Sequence, residues 1–152
     1  MNVKRWALAS LAAFVILSIR SYVVNDMLLT DIYMSVQSVW RTPAEMASLA
    51  WIFPLETAIF SLVLVYIYTR GYQPDRGGAG QGLRFGLLAG LLVGVPMGAV
   101  WYAVLPIPPI LGVAWFLESL IGNAVAGLAI GAIYKAKIYR RVENTRRGPV
   151  IS

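Results

Sequence analysis

Apolar residues run along this chain in four long blocks, separated by short polar, glycine-rich or proline-rich stretches. Each block comes close to the ~20 residues a helix needs to cross a bilayer core. The first spans residues 6–24, opened by Lys4-Arg5-Trp6 and interrupted once, at Arg20. The second spans residues 47–69 and ends at Arg70, the third spans 85–105 after Arg84, and the fourth spans 110–134 before Lys135 and Lys137. The pattern predicts a single all-α domain, an integral membrane four-helix bundle made of two antiparallel helical hairpins. The first block could be mistaken for a cleaved signal peptide. Arg20 follows its apolar stretch directly and no small-x-small cleavage site stands there, so it reads as a retained helix.

The connections differ in kind. Residues 25–46 form an outer segment that carries Asp26, Asp31, Arg41 and Glu45. Within it, Thr42-Pro43-Ala44-Glu45 reads as a helix start, with a capping residue, a proline in the first turn and a glutamate three residues after the cap. Helix two is therefore expected to begin before the membrane does. Gly71 to Gly82 reads as a flexible glycine-rich turn. It lacks the Gly-Lys-Ser/Thr ending of a phosphate loop and the dinucleotide glycine spacing. Leu105 to Ile110 holds three prolines and must be a stiff turn. In the basic tail, residues 135–152, the recurrence of Tyr134, Ile138 and Val142 among lysines and arginines predicts a few more helical turns lying along the headgroups, followed by a disordered stretch from Thr145 onward.

Composition and charge sharpen this picture. The 152 residues are 59% hydrophobic and 13% charged, with a net charge of +6. Soluble domains carry about 25% charged residues, so lipid must solvate most of this surface. With no cysteine and no histidine, disulfides, thiol nucleophiles, Ser-His-Asp triads and Cys/His zinc sites all lack their parts. No metal or cofactor is expected, and no nucleophile–base pair points to an enzyme. Of the 13 Lys and Arg residues, all but Arg20 and Arg41 fall on one side of a four-span chain. The positive-inside rule then predicts both termini in the cytoplasm of a cell with an inner membrane. The basic residues orient the chain and meet anionic lipid, which removes the need for a nucleic-acid partner.

Small residues mark the packing faces. Gly82, Gly86, Gly90, Gly94 and Gly98 recur every four residues on span three, and Ser119, Asn123, Gly127 and Gly131 do so on span four. Four-residue spacing of small residues lets helices approach closely, as in a glycine zipper. Spans three and four are expected to pack together, and the same faces would suit a homo-oligomer or a larger membrane complex. Pro96 and Pro54 are expected to kink spans three and two. Leu55-Glu56-Thr57-Ala58-Ile59 and Leu117-Glu118-Ser119-Leu120-Ile121 look alike, each after aromatic residues, as in a duplicated hairpin.

Candidate chemistry lies in the charges within the spans, because these are costly and need partners or a cavity. Counting from the cytoplasmic boundary, Arg20 lies about 22 Å deep, Glu56 about 21 Å, Glu118 about 25 Å and Tyr102 about 27 Å, at ~1.5 Å per residue. Each helix thus offers one polar group at nearly one level in the outer half of the membrane, and Asn123 could extend the set. One reading is a ligand or proton site of Arg20, Glu56, Tyr102, Glu118 and Asn123, opening outward under Asp26 and Asp31. The other is an ion pair that locks helix register and binds nothing. Trp6, Trp40, Trp51, Trp101, Trp115, Tyr66, Tyr68 and Tyr134 fall mostly near the expected interfaces, where amphipathic rings settle.

Taken together, the acidic outer loop, Leu55-Glu56 at the top of span two and Arg84-Phe85-Gly86-Leu87-Leu88 opening span three resemble small four-span prokaryotic membrane proteins of uncharacterised families. The resemblance covers nearly the whole chain and implies this fold, but it brings no assigned activity. Small multidrug transporters share four helices and an intramembrane glutamate, yet they are shorter and carry that glutamate in their first span. Two function classes follow: a non-catalytic accessory or scaffold subunit, or a small transporter or binding bundle built on Arg20, Glu56 and Glu118.

Overall fold

The computed structural model describes residues 2–74 and 77–134, and among them every regular element is helical. Helix α1 (Val3–Ser21) runs on without a break into a π-helical segment (Tyr22–Leu28). The segment that follows, up to α4, holds α2 (Thr30–Ser35), a single 3-10 turn (Gln37–Val39) and α3 (Pro43–Leu49). Helix α4 (Ile52–Gly71) follows, then α5 (Gly78–Val95), which continues through a π turn (Pro96–Val100) into α6 (Trp101–Val104), and last α7 (Pro109–Tyr134). Four helical stretches, Val3–Leu28, Ile52–Gly71, Gly78–Val104 and Pro109–Tyr134, are long and apolar enough to span a membrane.

The burial pattern is that of a bundle whose outside is meant for lipid. Large apolar side chains such as Leu88 and Leu92 point outward, whereas Ala9, Ala13, Ala126 and a row of glycines lie inside. Helix α7 packs along α5 and also on α1, α1 packs on α4, and α4 meets α5 only slightly. The α5–α7 seam is the closest. A Cβ on Gly90 would sit 2.7 Å from Leu120 Cα, and one on Gly86 would strike the Asn123 carbonyl. Only glycine allows two backbones that near. Gly94 and Gly98 face Phe116 and Gly112, while Gly127 and Gly131 on α7 face Gly82, Gly86 and Gly78.

Two clusters close the ends. At the end holding the N-terminus, the rings of Tyr68, Tyr72, Phe85 and Tyr134 pack edge to face or tilted at 5.2–6.1 Å, and Arg5 Nη1 donates to the Tyr134 carbonyl at 3.1 Å. Burial pushes the Tyr72 hydroxyl above its ordinary range, with the Arg5 charge opposing that rise and Tyr134 adding to it. At the other end Leu29, Ile107, Leu111 and Trp115 form a second buried core, packed by Ile32, Tyr33, Val36 and Trp40.

Several expectations need correction. The first helix reaches Leu28, not residue 24, because the π segment continues it through Asn25 and Asp26. Thr42 does cap a helix, with the full capping box to Glu45, and the Thr42 hydroxyl and backbone N–H hold the exposed Glu45 carboxyl below its usual range. That helix ends at Leu49 instead of running on as helix two. Pro54 cannot donate to the carbonyl four residues back and its ring crowds it, so the chain turns at Ala50-Trp51 and restarts. Pro54 thereby falls in the first turn of α4, where its missing N–H costs nothing and no mid-helix kink is needed. Half of the supposed glycine linker is helical: α5 begins at Gly78, whose burial with Gly82 extends the packing stripe by one turn. Where Pro96 is expected to kink the span, the helix widens into a π turn, Pro96–Val100, and continues. The basic tail, residues 135–152, lies outside the described residues.

Candidate functional site

Arg20 stands in the last turn of α1 and Glu118 near the middle of α7. Arg20 Nε lies 3.2 Å from Glu118 Oε1, an ion pair whose N–H is not aligned on the oxygen. The Glu118 side chain is 9% exposed and that of Arg20 26%. Arg20 Nη1 also reaches the Glu118 carbonyl at 3.4 Å. Its side chain lies against Gly122, one turn further along α7, where any Cβ would collide with Arg20 Cδ. An arginine in this bundle therefore needs both a carboxylate and a glycine on the facing helix.

The π segment supplies the next member. Asn25 Nδ2 donates to Glu118 Oε1 at 3.2 Å and to the Ser21 carbonyl at 3.2 Å. Asn25 Oδ1 accepts from the Tyr33 hydroxyl at 2.6 Å, and that hydroxyl accepts from Trp115 Nε1 at 2.7 Å. Donors thus follow one another from the indole through the phenol and the amide to the carboxylate, and such chains polarise each link. Tyr33 stacks on Trp115 at 6.5 Å, and Trp40 closes on both edgewise at 5.7 and 6.3 Å. Burial, chiefly, pushes the Tyr33 hydroxyl above its ordinary range. The Trp115 hydrogen bond opposes this, and the charges of Glu118 and Asp26 add to it. Tyr33 therefore stays protonated and keeps donating.

Arg20 and Glu118, chosen on depth alone, are brought together. Glu56 is not. Its charge is felt by Arg20, but it is exposed, and the neighbouring Thr57 hydroxyl donates to it at 3.3 Å. Tyr102 is 48% exposed and makes no hydrogen bond to Arg20, Glu118 or Asn123 among the described residues. Asn123 is buried, but it serves the helix seam. Its Nδ2 donates to the Ser119 carbonyl at 2.9 Å, and Ser119 Oγ donates across to the Gly90 carbonyl at 3.1 Å. The similar Leu-Glu motifs of α4 and α7 consequently occupy different surroundings, one exposed and one enclosed.

Asp26 and Asp31 are exposed, while Leu29, Tyr33 and Trp40 belong to the apolar cluster around Leu111 and Trp115. Asn25, Tyr33 and Trp115 are linked to Glu118 by hydrogen bonds that a reading by span depth misses. The available signal was an asparagine five residues after the arginine and a tryptophan three before the glutamate. Among the described residues, no group of His, Cys, Asp or Glu could hold a metal ion, and the arrangement offers a buried ion pair with a hydrogen-bonded cover. No protein-family model, no curated protein and no solved structure matches this chain, so its own residues carry the functional reading.

Proposed function

We propose that this chain is a multi-pass inner-membrane protein with both termini in the cytoplasm, built from two antiparallel hairpins, that works as a non-catalytic accessory or scaffold subunit. The observation that supports it is the state of Glu118. Its carboxylate is 9% exposed and is already engaged by Arg20 and Asn25. A ligand would have to displace the Tyr33–Trp115 cover and break the ion pair before reaching it. Groups committed in this way hold helices in register, as buried polar residues do elsewhere. The orientation follows from the basic residues, and anionic lipid at the 135–152 segment is the expected surface partner.

Extraction in a mild detergent followed by native mass spectrometry tests the reading. A protein partner bound in fixed stoichiometry is the expected result. A small molecule retained by the wild type and lost from Glu118→Gln, with the fold intact, would instead favour the transporter or ligand-binding bundle. The chain alone, monomeric and empty, would count against both.

A further inference from the structure

The inner half of α4 is held by the bundle and its outer half is not. All its buried residues, Ser61, Leu64, Val65 and Tyr68, lie past its first two turns. From Arg41 to Glu56 every residue is exposed except the half-buried Leu49. That arm presents large apolar surface: Trp51 is 61% exposed, Phe53 67% and Leu55 48%. At its end stands Glu56, about 21 Å from the cytoplasmic boundary of a core about 30 Å thick. Arg20, which feels the Glu56 charge, is committed to Glu118. An intramembrane carboxylate on an apolar face needs a counter-charge, and no described residue of this chain forms an ion pair with it.

We propose that the outer half of α4 is the docking face for a transmembrane helix of a different protein that carries a lysine or arginine in the outer third of its span, paired with Glu56. A second copy is the weaker occupant on charge grounds. A two-fold interface through this face sets each Glu56 against its own counterpart, and the outer half of α4 holds no lysine or arginine to relieve the repulsion. The hydrophobic flanks Trp51, Phe53, Leu55 and Ile59 supply packing area, and Glu56 supplies the choice of partner.

This inference rests on the accessory-subunit reading, and its test is separate from it. The full chain, labelled at Ser35→Cys, is reconstituted in phosphatidylcholine vesicles with a labelled polyleucine transmembrane peptide. One peptide carries a single lysine in its outer third, and the other carries leucine there. Energy transfer should report association about tenfold tighter for the lysine peptide, the scale of one polar interhelical contact. Glu56→Gln should abolish that preference, while Glu45→Gln, above the membrane, should leave it. Equal binding of the two peptides to the wild-type chain would overturn the inference without any variant being needed. So would self-association that outcompetes the lysine peptide, or displacement of that peptide by phosphatidylethanolamine, whose ammonium would then be the occupant. A chain that copurifies with a partner yet ignores the lysine would lose this face and keep its accessory role.

Discussion

The Arg20 side chain occupies the space that a side chain on Gly122 would need: a Cβ there would fall 2.7 Å from Arg20 Nη1 and 3.0 Å from Nε. Gly122→Ala should therefore push the guanidinium off Glu118 at a cost of about 1–3 kcal/mol, the range for overpacking. In an Arg20→Ala background the obstacle is gone. There the same substitution should be neutral or stabilising, because alanine favours the helix over glycine by about 1 kcal/mol. Thermal unfolding in mild detergent reads both, and a cost that does not depend on Arg20 would refute the coupling.

The glycine stripe makes a second contrast. A Cβ on Gly86 meets the Asn123 backbone, whereas one on Gly80 meets nothing within 4 Å. Gly86→Ala should cost about 1–3 kcal/mol through separation of α5 and α7. Gly80→Ala should gain up to about 1 kcal/mol from helix propensity alone. Similar melting temperatures for the two variants would contradict the close α5–α7 seam.

Tyr33 gives a pH test. Its folded hydroxyl titrates above the ordinary value of about 10, so folding favours the protonated form. The contribution is complete below about pH 10 and is lost as pH rises from there toward the folded value. Stability should be flat from neutral pH to about 9 with respect to this group and fall above about 10. Tyr33→Phe should cost about 1–3 kcal/mol at neutral pH, since Trp115 Nε1 and Asn25 Oδ1 lose their partner. It should also flatten the alkaline fall in part, with Tyr72 retaining its share. An unchanged alkaline limb in Tyr33→Phe would remove Tyr33 from the cover.

Orientation can be tested directly because the chain has no cysteine. Single cysteines at Ser38 and Gln73, in the outer segment and the α4–α5 turn, should label from opposite sides of the membrane. In intact cells Ser38→Cys should react with an impermeant maleimide, and Gln73→Cys should react only after permeabilisation. The reverse pattern would invert the proposed topology.

The shared level of Arg20 and Glu118 was legible in the sequence, and the rotation of each helix was not. Counting residues from the basic boundaries placed Arg20 and Glu118 at one level, and those two do pair. The same counting placed Glu56 and Tyr102 there, but each faces outward from its helix. In a lipid-solvated bundle both the inside and the outside are apolar, so hydrophobic periodicity cannot tell which face is inward. Glycine spacing carried that information for α5 and α7, where small residues alone permit contact. Nothing comparable marks α4. Asn25 escaped notice because only a π-helical continuation brings it over Glu118, and the residues Tyr22–Leu28 carry no signature of that wider turn. Pro54 was visible, but its effect depended on whether one helix or two met there.

Whether the Arg20–Glu118 pair is a lock or a binding site is decided by replacing both charges with apolar residues of similar size. Glu118→Leu alone strands a half-buried guanidinium and should cost up to about 3 kcal/mol. Adding Arg20→Met should restore most of that loss, since an apolar pair can substitute for a buried ion pair. The measurement is the unfolding temperature of the double variant together with its recovery in the native complex after mild extraction. A stable double variant that still assembles with its partner is the result expected of a lock. A double variant that folds as well as the wild type but loses what the wild type binds would contradict it.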